Sequence, residues 1–204
     1  TTNYDFRGIE PIYISEKRLP CGGALTLGSW NNRLVVADWI DGWHHSTIMN
    51  RLQKYTKASV VKSTSKVIEA ASDWLDAYFE GSKEAPDFDL LFLGTDFQKR
   101  VWQLLLEIPY GETITYGELL KKPELQKPLE QSVAVGENPF SIIVPCHRVI
   151  GKDKSLTGHG GGFDVKNICS HTNSAPISKI YLLATAQGAL LDRHNKNFRS
   201  CNGT

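Results

Sequence analysis

The first half of the chain alternates between short apolar runs and turn residues. Residues 11–15 and 24–39 read as short strands, and Asn31-Asn32 separates 24–27 from 33–40 in the manner of a hairpin. The period then changes. Val67, Ala70, Ala71, Trp74, Leu75, Tyr78 and Phe79 recur at three and four, which predicts a helix with one buried face ending at Gly81. Its aromatic stripe reads as core packing. A small unit of sheet plus helix is therefore expected over 1–86, followed by a linker at 87–93.

A second helix opens at Thr95, with Gln98 three residues later as in a capping box. Phe97, Val101, Leu104, Leu105 and Ile108 form its apolar face, and Pro109-Tyr-Gly-Glu is a turn. Residues 113–122 and 128–137 read as two further helices across a tight connection. The pair fits a helix-turn-helix, which presents its second helix to a nucleic-acid groove, and fits a plain helical hairpin equally well. The fold class expected is α+β, a small N-terminal sheet-plus-helix domain before a mainly helical, winged-helix-like domain over 94–191. Residues 167–179 are polar and turn-rich and interrupt a helix, 180–191 resume an apolar helical pattern, and 192–204 form a polar tail.

Composition narrows the function classes. Of 204 residues, 41% are hydrophobic and 22% charged, the balance of an ordinary globular protein. No apolar run approaches the roughly 20 residues that a membrane helix requires, and no membrane partner is expected. No signal-peptide pattern is present, and an N-terminal threonine is what a removed leader or tag leaves. Net charge is +1, and residues 95–166 hold nine Lys/Arg against nine Asp/Glu, so bulk electrostatics leaves no footprint for DNA. Local placement of Arg148, Lys152 and Lys154 would have to supply it. The four cysteines, Cys21, Cys146, Cys169 and Cys201, show neither CxxC pairing nor zinc-ligand spacing. Thiols in a reducing, intracellular compartment (cytoplasm or nucleus) are the simpler reading.

Cys146 stands apart from the other three. It follows an apolar run, sits behind Pro145, whose ring fixes φ and removes a donor, and has His147 beside it. A thiol so directed, with an imidazole in reach, can be held as the nucleophilic thiolate. A buried structural cysteine is the bland alternative.

Three phrases lie in order: Gly94-Thr-Asp-Phe-Gln-Lys-Arg-Val-Trp102, Ile108-Pro-Tyr-Gly-Glu-Thr-Ile-Thr-Tyr-Gly-Glu-Leu119 and Asn138-Pro-Phe-Ser-Ile-Ile-Val-Pro-Cys-His-Arg-Val-Ile-Gly151. With Leu156-Thr-Gly-His-Gly-Gly-Gly162 after them, they resemble the methylated-DNA–protein-cysteine methyltransferases, or O6-alkylguanine-DNA alkyltransferases. The likeness is close over 94–166 and looser over 20–93. It implies direct-reversal DNA repair, in which Cys146 irreversibly takes the alkyl group of O6-alkylguanine, with O4-alkylthymine a second candidate. Each molecule, acting as a monomer on double-stranded DNA, would do so once, with no cofactor and no metal. By the same resemblance, His147 takes the thiol proton through a water and Tyr116 protonates the leaving guanine. Asn138 holds the turn between recognition helix and active-site segment. The backbone around Val149 and the glycines Gly160 and Gly161 would line the guanine edge.

The chain departs from that pattern at three positions. The family fills the hole left by a flipped base with an arginine. Counting back from Asn138 without gaps places Leu129 there, and with gaps Gln131 fits better. The glutamate that orients the histidine is replaced by Asn173 or by Ala186, depending on whether 167–179 is an insertion. His159 stands where the family has an aromatic residue, usually tyrosine. Weaker base extrusion and slow transfer are therefore expected. Two other readings follow: a binder of alkylated DNA that does not repair it, and an unrelated cysteine hydrolase. The hydrolase suffers from adjacent Cys146 and His147 pointing to opposite sides of an extended stretch.

Overall fold

The computed structural model describes residues 10–20, 23–125 and 127–152. A four-stranded sheet is built from β1 (Ile12–Arg18), β2 (Ala24–Trp30), β3 (Arg33–Trp39) and β4 (Val60–Lys62), in the order β3-β2-β1-β4. β1 runs antiparallel to β2 and β2 antiparallel to β3, while β4 joins β1 in parallel. Asn31 and Asn32 both adopt positive φ, 48° and 57°, as a two-residue hairpin turn matched to strand twist requires.

Helices cover both faces. α2 (Lys66–Phe79) starts at Ser65, whose hydroxyl accepts from the Ile68 amide, and packs Val67, Ile68, Ala71, Leu75, Tyr78 and Phe79 inward. On the other face, α1 (His45–Thr56) sets Ile48 and Leu52 against Ile12, Val35 and Val36. The sequence pattern does not announce α1 or β4. α1 has no side-chain cap at His44 and buries only Ile48, Leu52 and Thr56, too sparse a stripe to stand out.

The second half begins with α3 (Asp96–Leu106), whose Thr95–Gln98 capping box is formed in both directions. In the following turn Gly111 has φ 83° and the Glu112 amide donates to the Pro109 carbonyl. The helix expected over 113–122 is much shorter. A two-residue strand, β5 (Ile114–Thr115), leads into α4 (Tyr116–Leu119), and a 3₁₀ turn follows at Pro123–Leu125. The Thr115–Glu118 capping box starts α4 three residues late, and Pro123 stops any extension. α5 (Pro128–Gly136) packs on α3, where the Trp102 indole donates to the Ala134 carbonyl at 2.8 Å. One buried cluster runs without a break from Leu25, Leu27 and Leu75 through Trp102 and Leu105 to Phe140, Val144 and Cys146.

Candidate active site

The segment from Asn138 to Val149 is buried throughout, and its shape is set by side chains from both halves. Asn138 spends its whole carboxamide on the turn. Its Nδ2 donates to the Val144 and Phe140 carbonyls at 2.9 and 3.2 Å, and its Oδ1 accepts from the Phe140 amide at 3.0 Å. β3 supplies a second grip, since the Ala37 amide donates to the Pro139 carbonyl and the Ala37 carbonyl accepts from the Ser141 amide. The Ser141 hydroxyl adds a bond to Asp38 Oδ1 at 3.3 Å. Asp38 is itself buried and accepts from His45 Nδ1, and burial raises its carboxyl above the ordinary range against the pull of that histidine. Within this frame Ile142 adopts φ 72°, a left-handed conformation costly for a β-branched residue.

After Pro145 the chain forms a 3₁₀ turn at Cys146–Arg148 and then β6 (Val149–Ile150). Cys146 is 7% exposed and His147 wholly buried. β6 pairs in parallel with β5, Ile114 against Val149 and Thr115 against Ile150. That pairing delivers Tyr116, the next residue, to the cysteine. Its hydroxyl is pushed up to about 12, first by desolvation and then by the neighbouring Cys146, whose charge when ionised would oppose a second negative charge. Tyr116 is thus held as a neutral hydrogen-bond donor close to the sulfur. The α4 capping box fixes its backbone, and the hydrogen bonds from Thr115 hold Glu118 below the usual carboxylate range. His147 Nε2 lies 3.4 Å from the hydroxyl of Tyr78, a residue of α2.

Two residues expected at a DNA surface lie inside instead. Arg148 is 8% exposed, its guanidinium donates to the Ile108 carbonyl at 2.7 Å, and it lies 5.5 Å over the Tyr110 ring. It ties the active-site turn to the end of α3 rather than reaching outward. Gln131 is 1% exposed, with neither carboxamide atom hydrogen-bonded. The gapless count therefore has the better geometry: Leu129 is 79% exposed and shares a shallow groove of about 310 Å³ with Phe97 and Val133. The charges beside this face of α5 are Lys127 and Glu130, paired with each other at 3.1 Å. Helical period explains the swap, since position 131 is in phase with the buried Ala134 and Val135.

Asn138, Val149, Tyr116, Cys146 and His147 are thus brought together, while His159, Gly160 and Gly161 lie outside the described residues. The sequence pattern missed Tyr78, Asp38 and Ser141 as neighbours of the site. Tyr78 carried a faint signal, a hydroxyl in an otherwise apolar stripe. Among the described residues no helix is long and apolar enough to cross a membrane.

Comparison with known proteins agrees with this geometry. Residues 96–172 match the family model of the 6-O-methylguanine DNA methyltransferase DNA-binding domain. A methylated-DNA–protein-cysteine methyltransferase of Methanosarcina barkeri is 48% identical over 104 residues, which are 50% of this chain and 65% of that protein. The match therefore spans a little under two thirds of that relative. Two Mycobacterium tuberculosis crystal structures superpose more widely, each with 34% identity. OGT in complex with DNA gives a TM-score of 0.65 over 80% of this chain and 92% of its own. The O6-methylguanine methyltransferase gives 0.66 over 81% and 94%. The strand-to-turn arrangement around Cys146 and these matches place the chain in the family of O6-methylguanine-DNA methyltransferases.

Proposed function

We propose that the chain repairs DNA by moving the alkyl group of O6-alkylguanine in a duplex onto Cys146, one group per molecule. The observation that carries this reading is the clamped turn of Asn138–Pro145, which holds Cys146 beside a neutral Tyr116. A stacked guanine hides its alkylated oxygen, so the base must leave the helix, at a cost of a few kcal/mol. The Cys146 proton passes through a water to His147. The thiolate then attacks the alkyl carbon in line, the carbon–O6 bond breaks, and its electron pair goes to guanine. Tyr116 donates its proton to the guanine anion and recovers one from solvent as the site reopens. The new thioether is stable, so the protein is consumed.

The duplex would meet α5 as the second helix of a helix-turn-helix. Its exposed residues Leu129 and Val133 are apolar, which supports weak and weakly salt-dependent binding. The decisive experiment incubates the protein with a duplex oligonucleotide carrying O6-methylguanine and follows intact and peptide masses. One methyl on Cys146, absent from Cys146→Ala, is the expected result. A gel shift with the lesion intact would leave a binder that does not repair, and turnover of an ester or amide would mean a hydrolase.

A further inference from the structure

Resting on the reading of His147 as the group that takes the Cys146 proton, we infer that Tyr78 is a positioning residue for that histidine. The ring of His147 is wholly buried, and a buried ring nitrogen must find a partner or bear the cost of desolvation. Tyr78 meets it from the other half of the chain, 69 positions earlier, with Oη 3.4 Å from Nε2. The phenol ring is fixed independently of that contact. It stacks on Trp74 at 5.3 Å, meets Phe79 edge-on at 5.6 Å and Tyr110 at 6.0 Å. The hydroxyl therefore approaches the imidazole from a set direction.

The direction of that hydrogen bond decides whether the imidazole can be a base. If the hydroxyl donated to Nε2, the ring proton would sit on Nδ1 and neither nitrogen would have a lone pair to offer the thiol. If Nε2–H donates to the Tyr78 oxygen, Nδ1 holds the lone pair and can receive the Cys146 proton. The resulting imidazolium then donates a charge-assisted bond to the same oxygen, which favours the charged form and with it the thiolate. A tyrosine hydroxyl thus sets the tautomer from which this histidine can act as a base. Ionisable groups near the pair include Cys146, Tyr110, Arg148 5.5 Å over the Tyr110 ring, Lys83 5.7 Å from that ring, and Glu84, which lines the same cavity as Tyr78.

The test compares Tyr78→Phe with wild type, a change that keeps the ring and its aromatic contacts. Alkylation of Cys146 by iodoacetamide is followed by peptide mass across the pH range, in wild-type and His147→Ala backgrounds, beside methyl uptake from the O6-methylguanine duplex. In the wild-type background, Tyr78→Phe should slow alkylation at neutral pH about tenfold and move its midpoint about one unit alkaline. In the His147→Ala background it should change neither. Superimposable profiles overturn the inference, and so does a shift that persists without His147. If no protein takes methyl from the duplex, the repair reading fails while the iodoacetamide profiles still decide the role of Tyr78.

Discussion

The turn that carries Cys146 and the helix that precedes it are neighbours in sequence but are built on opposite principles. In the turn, residues 138–149 are all buried, Asn138 uses its donors and its acceptor on backbone groups, and β3 grips the loop from behind. On α5, Gln131 is buried with its carboxamide unpaired, while Leu129 and Val133 face outward. On the function proposed above, the difference teaches that the chemistry would be specified tightly and the surface offered to DNA loosely. A nucleophile must be held to a fraction of an ångström, whereas groove contact tolerates many surfaces because phosphates supply much of the affinity.

Several substitutions would break or sharpen this contrast. The largest effect is expected from Asn138→Ala, which strands buried backbone groups at Phe140 and Val144. Chemical denaturation should show a loss of about 3 kcal/mol, and an unchanged midpoint would mean that the turn is held by something else. Next comes Tyr116→Phe, which should slow methyl transfer about a hundredfold at unchanged DNA affinity. Equal rates would remove Tyr116 from the proton path. Its pH dependence follows from the raised value. The hydroxyl, held at about 12, keeps its proton through the neutral and mildly alkaline range, so single-turnover rates should show no alkaline fall due to this group there. Above the ordinary tyrosine range the unfolded chain ionises first, so the stability contribution of Tyr116 is lost as pH rises toward 12.

On the looser side, Gln131→Leu should stabilise the fold by about 1–2 kcal/mol, because a buried amide with no partner is replaced by an apolar group of similar size. Thermal melts read the gain, and duplex affinity should stay where it was. A loss of binding instead would return Gln131 to the interface. The smallest effect is reserved for Leu129→Arg, expected to tighten duplex binding about threefold at low salt and to steepen its salt dependence by about one ion. Titration by fluorescence anisotropy at several salt concentrations would reveal either change.

Local signals carried much of this architecture into the sequence. The Asn31-Asn32 turn, the α2 stripe and the Thr95–Gln98 box are each complete within a few residues, and each forms as its pattern predicts. α1 was illegible because its inward face is short and its start uncapped. The helix expected at 113–122 lost its first residues to pairing with Val149 and Ile150, a contact from a distant stretch that no local pattern encodes. The site divides along the same line. Cys146, His147 and Asn138 could be read from one phrase, and Tyr116 from another, but not the strand pair that brings the phrases together. Arg148 misled because a guanidinium suggests phosphate, whereas here it serves the Ile108 carbonyl. Gln131 misled because the gapped count from Asn138 put it at a position that helical phase turns inward.

β3 is the last strand on its side of the sheet, and its outer rim does not face water bare. The Leu34 peptide is met by residues 89–91 and the Ala37 peptide by residues 139–141, so the reactive loop also serves as a lid on an open β edge. Unsheathed strands of this kind recruit other chains. Any lesion, mutation or adduct that prises the loop away would therefore uncover a template for self-association, making turbidity a sensitive gauge of damage around the sulfur.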